Sequence, residues 1–255
     1  MSPEGRRGGR GPGEPRVVLV TGGARGIGAA CVDWFLARGD RVAATYRSQT
    51  TPDAPKDADP DRYLAVRCDV TDPAQVESAF TEVEARWGPV EVLVANAGIT
   101  RDTLVLRMDE SAWHEVIETN LTGGFRVAKR AVAKMLRLHR GRIIFISSVG
   151  AFVGLPGQAN YAASKAGLVG MARALAREVA SRTITVNVVA PGVVATDMIA
   201  ALGEDRIEQL TTTVPLGRAA APAEVAEAVG FLASEGAGYI TGTVLPVDGG
   251  LGMGL

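Results

Sequence analysis

Tyr161 and Lys165 stand four residues apart in "ANYAASKAG" (159–167), a spacing that puts both side chains on one face of a helix. A phenol titrates near 10 and is a poor acid–base group at neutral pH until a neighbouring positive charge favours its phenolate form. Lysine suits that task better than arginine, because its ammonium is a compact point charge with three rotatable donors. The chain has four lysines, Lys56, Lys129, Lys134 and Lys165, among 27 basic residues, so a lysine here is a departure from its preference for arginine. Spacing alone fits an exposed helical pair equally well. Ser148 closes the apolar run "GRIIFISS" (141–148), where its hydroxyl can donate to a carbonyl oxygen or serve only in a turn. Asn120, in "ETNLTGGF", can hold a water against Lys165 as a route for protons, or act as a helix cap. Together these four groups describe proton transfer to a carbonyl.

Such groups need a frame. Short Val- and Ile-rich runs at 16–22, 41–46, 63–70, 90–98, 141–148, 183–192 and 243–250 read as strands covered on both faces. Helical periodicity falls between them at 26–38, 73–87, 109–119, 122–139, 159–181 and 223–234, with Asp72–Pro73 as a clear helix start. The alternation predicts an α/β fold: one domain over 16–255 with a doubly wound, seven-stranded parallel sheet and helices on both faces. Residues 1–15, rich in Gly, Pro and Arg, read as a flexible tail with no apolar secretory segment. Residues 196–216 break the alternation, and their spaced apolar residues suggest a substrate lid or a plain surface excursion.

Composition narrows the classes. A net charge of −1 offers no field for nucleic acid or an anionic membrane, and no apolar run is long enough to span a bilayer. Cys31 and Cys68 lack metal-ligand spacing, so neither a metal site nor a disulfide framework is expected, and a cytoplasmic setting is the simplest. His114 and His139 lack the neighbours of a histidine-dependent hydrolase.

"VLVTGGARGIGAACVDWFLARG" places Gly22, Gly26 and Gly28 at the turn from the first strand into the first helix. Glycine there lets the backbone approach a pyrophosphate at the helix amino terminus, though any tight turn can use the same pattern. At the end of the second strand, "ATYRSQ" offers Arg47 and no carboxylate before Asp53, while Arg25 lies in the glycine loop. Two guanidiniums without a carboxylate suit a 2′-phosphate, which selects NADP(H); a merely solvated Arg47 is the alternative. An oxidised nicotinamide would then add its own positive charge beside Tyr161. Asp69, in "CDV", can accept the adenine amino group, and Asn96, Ala97 and Gly98, in "NAG", can pass the adenine ribose; both segments also suit caps or turns.

In this order, "TGGARGIG", "NAG", "NLTG", Ser148, "YAASK" and "NVVAPG" resemble the short-chain dehydrogenase/reductase family, from about Arg16 onward. The resemblance implies a Rossmann fold, a catalytic set of Asn120, Ser148, Tyr161 and Lys165, and a pro-S hydride from NAD(P)H. It also implies cofactor contacts from Gly22, Arg25, Gly26, Ile27, Gly28, Arg47, Asp69, Val70, Asn96, Ala97, Gly98, Tyr161 and Lys165. "PGVVATDM" adds Pro191, Gly192, Val194 and Thr196 on the nicotinamide side. Within the family, "PVEVLVANAGITRDTLVLRM" and "AEVAEAVGFLASEGAGYITGTVLPVDGG" are similar to bacterial 3-oxoacyl-[acyl-carrier-protein] reductases of fatty-acid synthesis, and "GGLGMGL" to the branch associated with mycolic-acid elongation. Ser147 departs from the glycine that many relatives carry there. The resemblance implies a 3-oxoacyl thioester as substrate and a homotetramer packed through 122–139 and 159–181. Arg140 and Arg182, near the ends of two helices, can attract an acidic acyl carrier protein or simply be solvated. The residues themselves leave open a polyketide, quinone, steroid or sugar ketone, and a non-catalytic NADP(H)-sensing regulator.

Overall fold

The structure, a computed structural model, describes residues 14–56, 58–196 and 209–254. Seven strands form one parallel sheet: β1 (Val17–Val20), β2 (Arg41–Tyr46), β3 (Tyr63–Arg67), β4 (Val92–Ala95), β5 (Gly141–Ile146), β6 (Ile184–Pro191) and β7 (Val244–Val247). Their spatial order is β3-β2-β1-β4-β5-β6-β7, so the chain reverses direction of growth between β1 and β4. Ligands of open α/β sheets bind outside the carboxyl ends of the strands at that switch point.

The helices between them are α1 (Gly26–Leu36), α2 (Pro73–Trp87), α3 (Glu110–Ile117), α4 (Gly123–Leu138), the short α5 (Gly150–Val153), α6 (Ala159–Val179) and α7 (Pro222–Ala233). Alternation along each strand divides the core. Val17 and Leu19 of β1, with Ile143 and Phe145 of β5, face α2, α4 and α6; Val18, Val20, Ile144 and Ile146 face α1 and α7. Local signals agree with this packing. Asp72 accepts from the Ala74 and Gln75 backbone N–H groups (2.8 and 3.3 Å), with Pro73 at the first helical position. His139 ends α4 in the left-handed region at φ 53°. Among the described residues no helix is long and apolar enough to cross a membrane.

The structure departs from the sequence expectation at the carboxyl ends of several strands. β3, β4, β5 and β7 stop at Arg67, Ala95, Ile146 and Val247. The apolar and small residues that the sequence pattern assigns to them, among them Val70, Ala97, Gly98 and Ser148, leave the ladder and form the crevice rim. A second difference concerns α3 and α4. Glu118–Thr122 joins them as a π-helical turn, in which each backbone bond spans one residue more than in an α-helix. Asn120 sits in that turn and is only 2 % exposed. Of the expected lid, residues 197–208 lie outside the described residues, as do residues 1–13 of the expected tail. Residues 209–212 are helical, and Ala220 forms an isolated parallel bridge with Val194, just past the end of β6.

α7 packs on α1 through Gly230, where a Cβ would come 2.1 Å from the Trp34 ring. Gly230→Ala is therefore expected to destabilise the fold by about 1–3 kcal/mol through overpacking. Denaturant unfolding reads that loss; the glycine faces away from the crevice, so activity per folded molecule should be unchanged.

Candidate active site

Thr21, just past β1, starts a turn in which Gly22 and Gly26 take φ values of 64° and 54°, a region that glycine enters without strain. Asn96 donates from Nδ2 to the carbonyls of Thr21 and Gly22 (3.0 and 3.1 Å), and Thr21 Oγ1 accepts from the N–H groups of Asn96 and Ala97 (both 3.0 Å). Two loops are thus braced across the switch point. Any Cβ at Gly28 would sit 2.2 Å from the Gly22 carbonyl oxygen, so the loop closes only with glycine there. Arg25 precedes α1 without a side-chain cap, which leaves the first N–H groups of the helix, including those of Ile27 and Gly28, to an external acceptor. A cradle of glycine backbone under an uncapped helix amino terminus fits a pyrophosphate.

Gly23 N–H donates to the Thr45 carbonyl (3.0 Å), tying the loop that carries Arg25 to the strand end that leads to Arg47. Both arginines are exposed, and neither has an acceptor among the described residues. Asp69 Oδ1 accepts from the backbone N–H and hydroxyl of Thr71 (2.9 and 2.7 Å), so one carboxylate oxygen serves a turn. Val70 lies beneath Gly123, where a Cβ would meet it at 2.6 Å. The Asn96 side chain is spent on bracing the glycine loop, which leaves its backbone and those of Ala97 and Gly98 to line the crevice. Gly98 provides the opening, because a Cβ there would lie 3.2 Å from Asn120 Oδ1 and 3.3 Å from Lys165 Nζ.

Tyr161 and Lys165 share one face of α6, as their spacing requires, with Lys165 Nζ 5.6 Å from the phenol ring centroid. The lysine is buried, and its ammonium donates to the Ile146 carbonyl at the end of β5 (2.8 Å). Burial lowers its pKa to about 8. Burial raises the pKa of Tyr161, against a downward pull from the hydrogen-bonded Ser148 hydroxyl and with a smaller upward push from the Asp102 carboxylate. The expected lowering joins the Lys165 ammonium to the positive charge of an oxidised nicotinamide; in the chain alone Lys165 is not among the groups that move the phenol. At this separation, loss of water from both groups outweighs the attraction of one for the other's charge.

Asn120 Nδ2 donates to the Ile99 carbonyl and to Ser164 Oγ (both 3.0 Å), and its Oδ1 accepts from Ile99 N–H (2.8 Å). Both amide hydrogens are occupied, leaving one lone pair of Oδ1 toward Gly98 and Lys165. Ser164 Oγ donates in turn to the Tyr161 carbonyl (2.7 Å), and Ser147 Oγ donates to the Lys165 carbonyl (2.9 Å). Ser147 is marked in the sequence only as a departure from glycine, and Ser164 carries no signal, because Lys165 and Asn120, which they meet, lie 18 and 44 residues away. Ser148 Oγ accepts from Gly150 N–H (3.1 Å) while its hydroxyl is hydrogen-bonded with the Tyr161 phenol.

β6 delivers the remaining residues. Val149 N–H donates to the Pro191 carbonyl (2.8 Å), which seats the end of β6 beside Ser148. Gly192 passes Asp248 so closely that a Cβ would stand 2.7 Å from its Cα. Val194 is buried, and Thr196 reaches the glycine loop, 3.3 Å from where a Gly26 Cβ would be. The structure therefore gathers the predicted residues along one sheet edge. Arg140 and Arg182 are the exception: they precede β5 and β6, at the opposite edge, where Arg140 pairs with Glu91 (2.8 Å) and Arg182 meets His139 Nε2 (2.7 Å).

A family model described as enoyl-(acyl carrier protein) reductase matches residues 22–252. The chain belongs to the short-chain dehydrogenase/reductase family. Among its relatives, the 3-oxoacyl-[acyl-carrier-protein] reductase MabA of Mycobacterium tuberculosis is 51 % identical over 255 residues, covering 100 % of both chains. MabA of Mycobacterium avium is 51 % identical over 94 % of this chain and 91 % of its own. The 3-oxoacyl-[acyl-carrier-protein] reductase FabG of Escherichia coli is 48 % identical over 94 % of this chain and 98 % of its own. The short-chain reductase core, glycine loop to Gly192, falls wholly within the matched span.

Burial of Lys165 has a measurable consequence. In the unfolded chain its amine binds a proton below about 10.5, in the folded chain only below about 8. Between those values the unfolded state holds more protons, so this group makes stability rise with pH. The stability difference between wild type and Lys165→Met is expected to move by about 3 kcal/mol in favour of wild type from pH 7.5 to 10.5. Parallel denaturation curves of both proteins across that range provide the check.

Proposed function

We propose that this chain reduces the 3-oxo group of an acyl thioester, on acyl carrier protein or CoA, to the (3R)-hydroxyacyl thioester with NADPH, in fatty-acid biosynthesis. The convergence of Tyr161, Lys165, Ser148 and Asn120 at the edge of a glycine-lined dinucleotide crevice carries this reading. Full-length identity of 51 % to a 3-oxoacyl-[acyl-carrier-protein] reductase supports the substrate class.

Gly22, Gly26, Ile27 and Gly28 would hold the pyrophosphate, Asp69 and Val70 the adenine, Asn96 to Gly98 the ribose passage, and Pro191, Gly192, Val194 and Thr196 the nicotinamide. When bound, the dinucleotide supplies the hydride that reaches C3 of the substrate. Tyr161 then gives its hydroxyl proton to the carbonyl oxygen as that oxygen gains charge, and Ser148 holds the same oxygen by a hydrogen bond. The raised pKa of the buried phenol keeps it protonated, as a proton donor must be. Lys165 holds ribose hydroxyls and steadies the phenolate left behind, and Asn120 carries a water that returns the proton. We also place Phe125 and Leu136, exposed on α4, in a homotetramer contact shared with α6. The two free, buried cysteines suit a reducing cytoplasm.

Acetoacetyl-CoA should be reduced with NADPH, and Tyr161→Phe should lower kcat by about 10²–10⁴-fold while NADPH still binds. Absence of NADPH oxidation by wild type above background rejects the substrate class. Survival of turnover in the variant rejects Tyr161 as proton donor.

Arg25 and Arg47, with no acceptor among the described residues, support the phosphorylated dinucleotide. The double change Arg25→Ala, Arg47→Ala should raise KM for NADPH by about tenfold or more, equivalent to the loss of one charge-assisted contact, and leave KM for NADH nearly unchanged. Steady-state kinetics with both dinucleotides decides it; equal effects on the two would reject these arginines as the selecting pair.

A further inference from the structure

A serine inside a helix ordinarily bonds to the carbonyl three or four residues back, and Ser164 does so, donating to the Tyr161 carbonyl (2.7 Å). That bond uses the one proton of the hydroxyl, so its oxygen can serve a second partner only as an acceptor. The second partner is Asn120, whose Nδ2 donates to Ser164 Oγ (3.0 Å). Both side chains are buried.

Asn120 belongs to the π-helical turn between α3 and α4, and two contacts seat that turn on α6. One is the bond to Ser164. The other is Leu121 against Gly167, where a Cβ would lie 2.8 Å from Leu121 Cδ2. Ser164 and Gly167, three residues apart, share a face of α6. The bonds of Asn120 to Ile99 (3.0 and 2.8 Å) hold the amide to the loop after β4 instead. Further tethers of α6 bypass the amide: Asn160 Nδ2 donates to the Arg101 and Ala112 carbonyls (3.1 and 3.2 Å), and Gln158 donates to Asp102 Oδ2 (2.7 Å). Among the described residues, Ser164 alone hydrogen-bonds Asn120 to the helix that carries Tyr161 and Lys165.

With Nδ2 committed to Ser164 and Ile99, the amide oxygen is turned to the side of Gly98. There Asn120 Oδ1 and Lys165 Nζ stand 3.2 and 3.3 Å from one point, the place of a Cβ on Gly98. Gly98 has no side chain to fill that side, so a water lying over it can reach both groups. Lys165 follows Ser164 in the chain. Whatever fixes Ser164 on Asn120 therefore fixes the amide oxygen relative to the ammonium.

We propose that Ser164 is a positioning residue for proton return: its oxygen registers the Asn120 amide on Lys165, so that a water between them passes a proton inward after each turnover. The inference rests on the reading of Tyr161 as proton donor and Asn120 as holder of that water. Each reduction leaves Tyr161 one proton short. One proton then enters from solvent, by way of the water and Lys165, to the phenolate, and no electron moves in that step. Ser164 touches no reacting atom; it stands behind the Asn–Ser–Tyr–Lys set.

A double-substitution cycle tests this with the full chain, acetoacetyl-CoA and NADPH. Ser164→Ala should lower kcat about tenfold, the rate equivalent of one buried hydrogen bond, with KM for NADPH within about twofold of wild type. The solvent deuterium isotope effect on kcat should rise, and that of deuterium at the transferred position of NADPH should fall, because proton return becomes the slow step. In an Asn120→Ala background the same serine change should cost less than about twofold, since no amide is left to position. Where Ser164→Ala does not yield folded, NADPH-binding protein, Ser164→Cys takes its place, a thiol of similar shape and weak acceptor strength. Undiminished kcat in the serine variant overturns the proposal. So does a loss that persists in the Asn120→Ala background, or one that leaves both isotope effects unmoved, which marks a packing defect. Full activity of Asn120→Ala itself overturns Asn120 as water holder, and this inference with it, while Tyr161 as proton donor stands or falls by Tyr161→Phe.

Discussion

Everything at the sheet edge hangs on a lysine ammonium kept out of water and held by the last carbonyl of β5 (2.8 Å from Ile146). Burying such a group costs free energy unless it is hydrogen-bonded. The fold meets that demand by fixing α6 against the end of β5 from both sides. Lys165 reaches toward the strand, and Ser147 reaches back from the strand to the Lys165 carbonyl (2.9 Å). A glycine at 147 would leave that carbonyl with one contact fewer, so the serine that departs from many relatives stiffens the register of helix on strand. The same pair of bonds sets the height of Tyr161 above Ser148.

The second constraint is the reversal of strand order between β1 and β4. It opens a cleft that two loops must line without filling. Asn96 solves the problem by spending its side chain on the Thr21 and Gly22 carbonyls, which would otherwise be left without partners where the loops part. Glycines 28 and 98 then keep the floor bare: one sits under a carbonyl, the other over Lys165 and Asn120. Phosphate cradle and proton-transfer groups are therefore one continuous construction, with Asn96 and Asn120 as its two amide braces.

The sheet and its order of elements were legible because both-face burial writes nearly unbroken Val and Ile runs, and because Asp72–Pro73 and the glycine turn mark helix starts plainly. The strand ends were not. Val70, Ala97 and Gly98 continue the apolar pattern although they belong to the crevice, since a ligand-facing wall and a buried strand use the same small residues. The π turn around Asn120 was hidden for another reason. Its cause is tertiary: the amide must meet Ile99 and Ser164 at once, and periodicity in "ETNLTGGF" carries no trace of either partner. Tyr161, Lys165 and Ser148 could be found from spacing and chemistry, whereas Ser164, Ser147 and the Gln158–Asp102 contact depend on pairings that only the folded chain creates.

Desolvation gives the site its direction. Burial moves Tyr161 up and Lys165 down, to about 8, so each group is displaced toward its neutral form. Below about 8 the amine still carries its proton, so the resting site sets a neutral phenol near an ammonium held by the Ile146 carbonyl (2.8 Å). Once the phenol has given its proton away, a phenolate stands near that ammonium, and the two titrate as a coupled pair. The attraction between opposite charges appears only as the proton leaves. That differential, absent from the resting site and present after transfer, is what accelerates a reaction rather than merely binding its substrate.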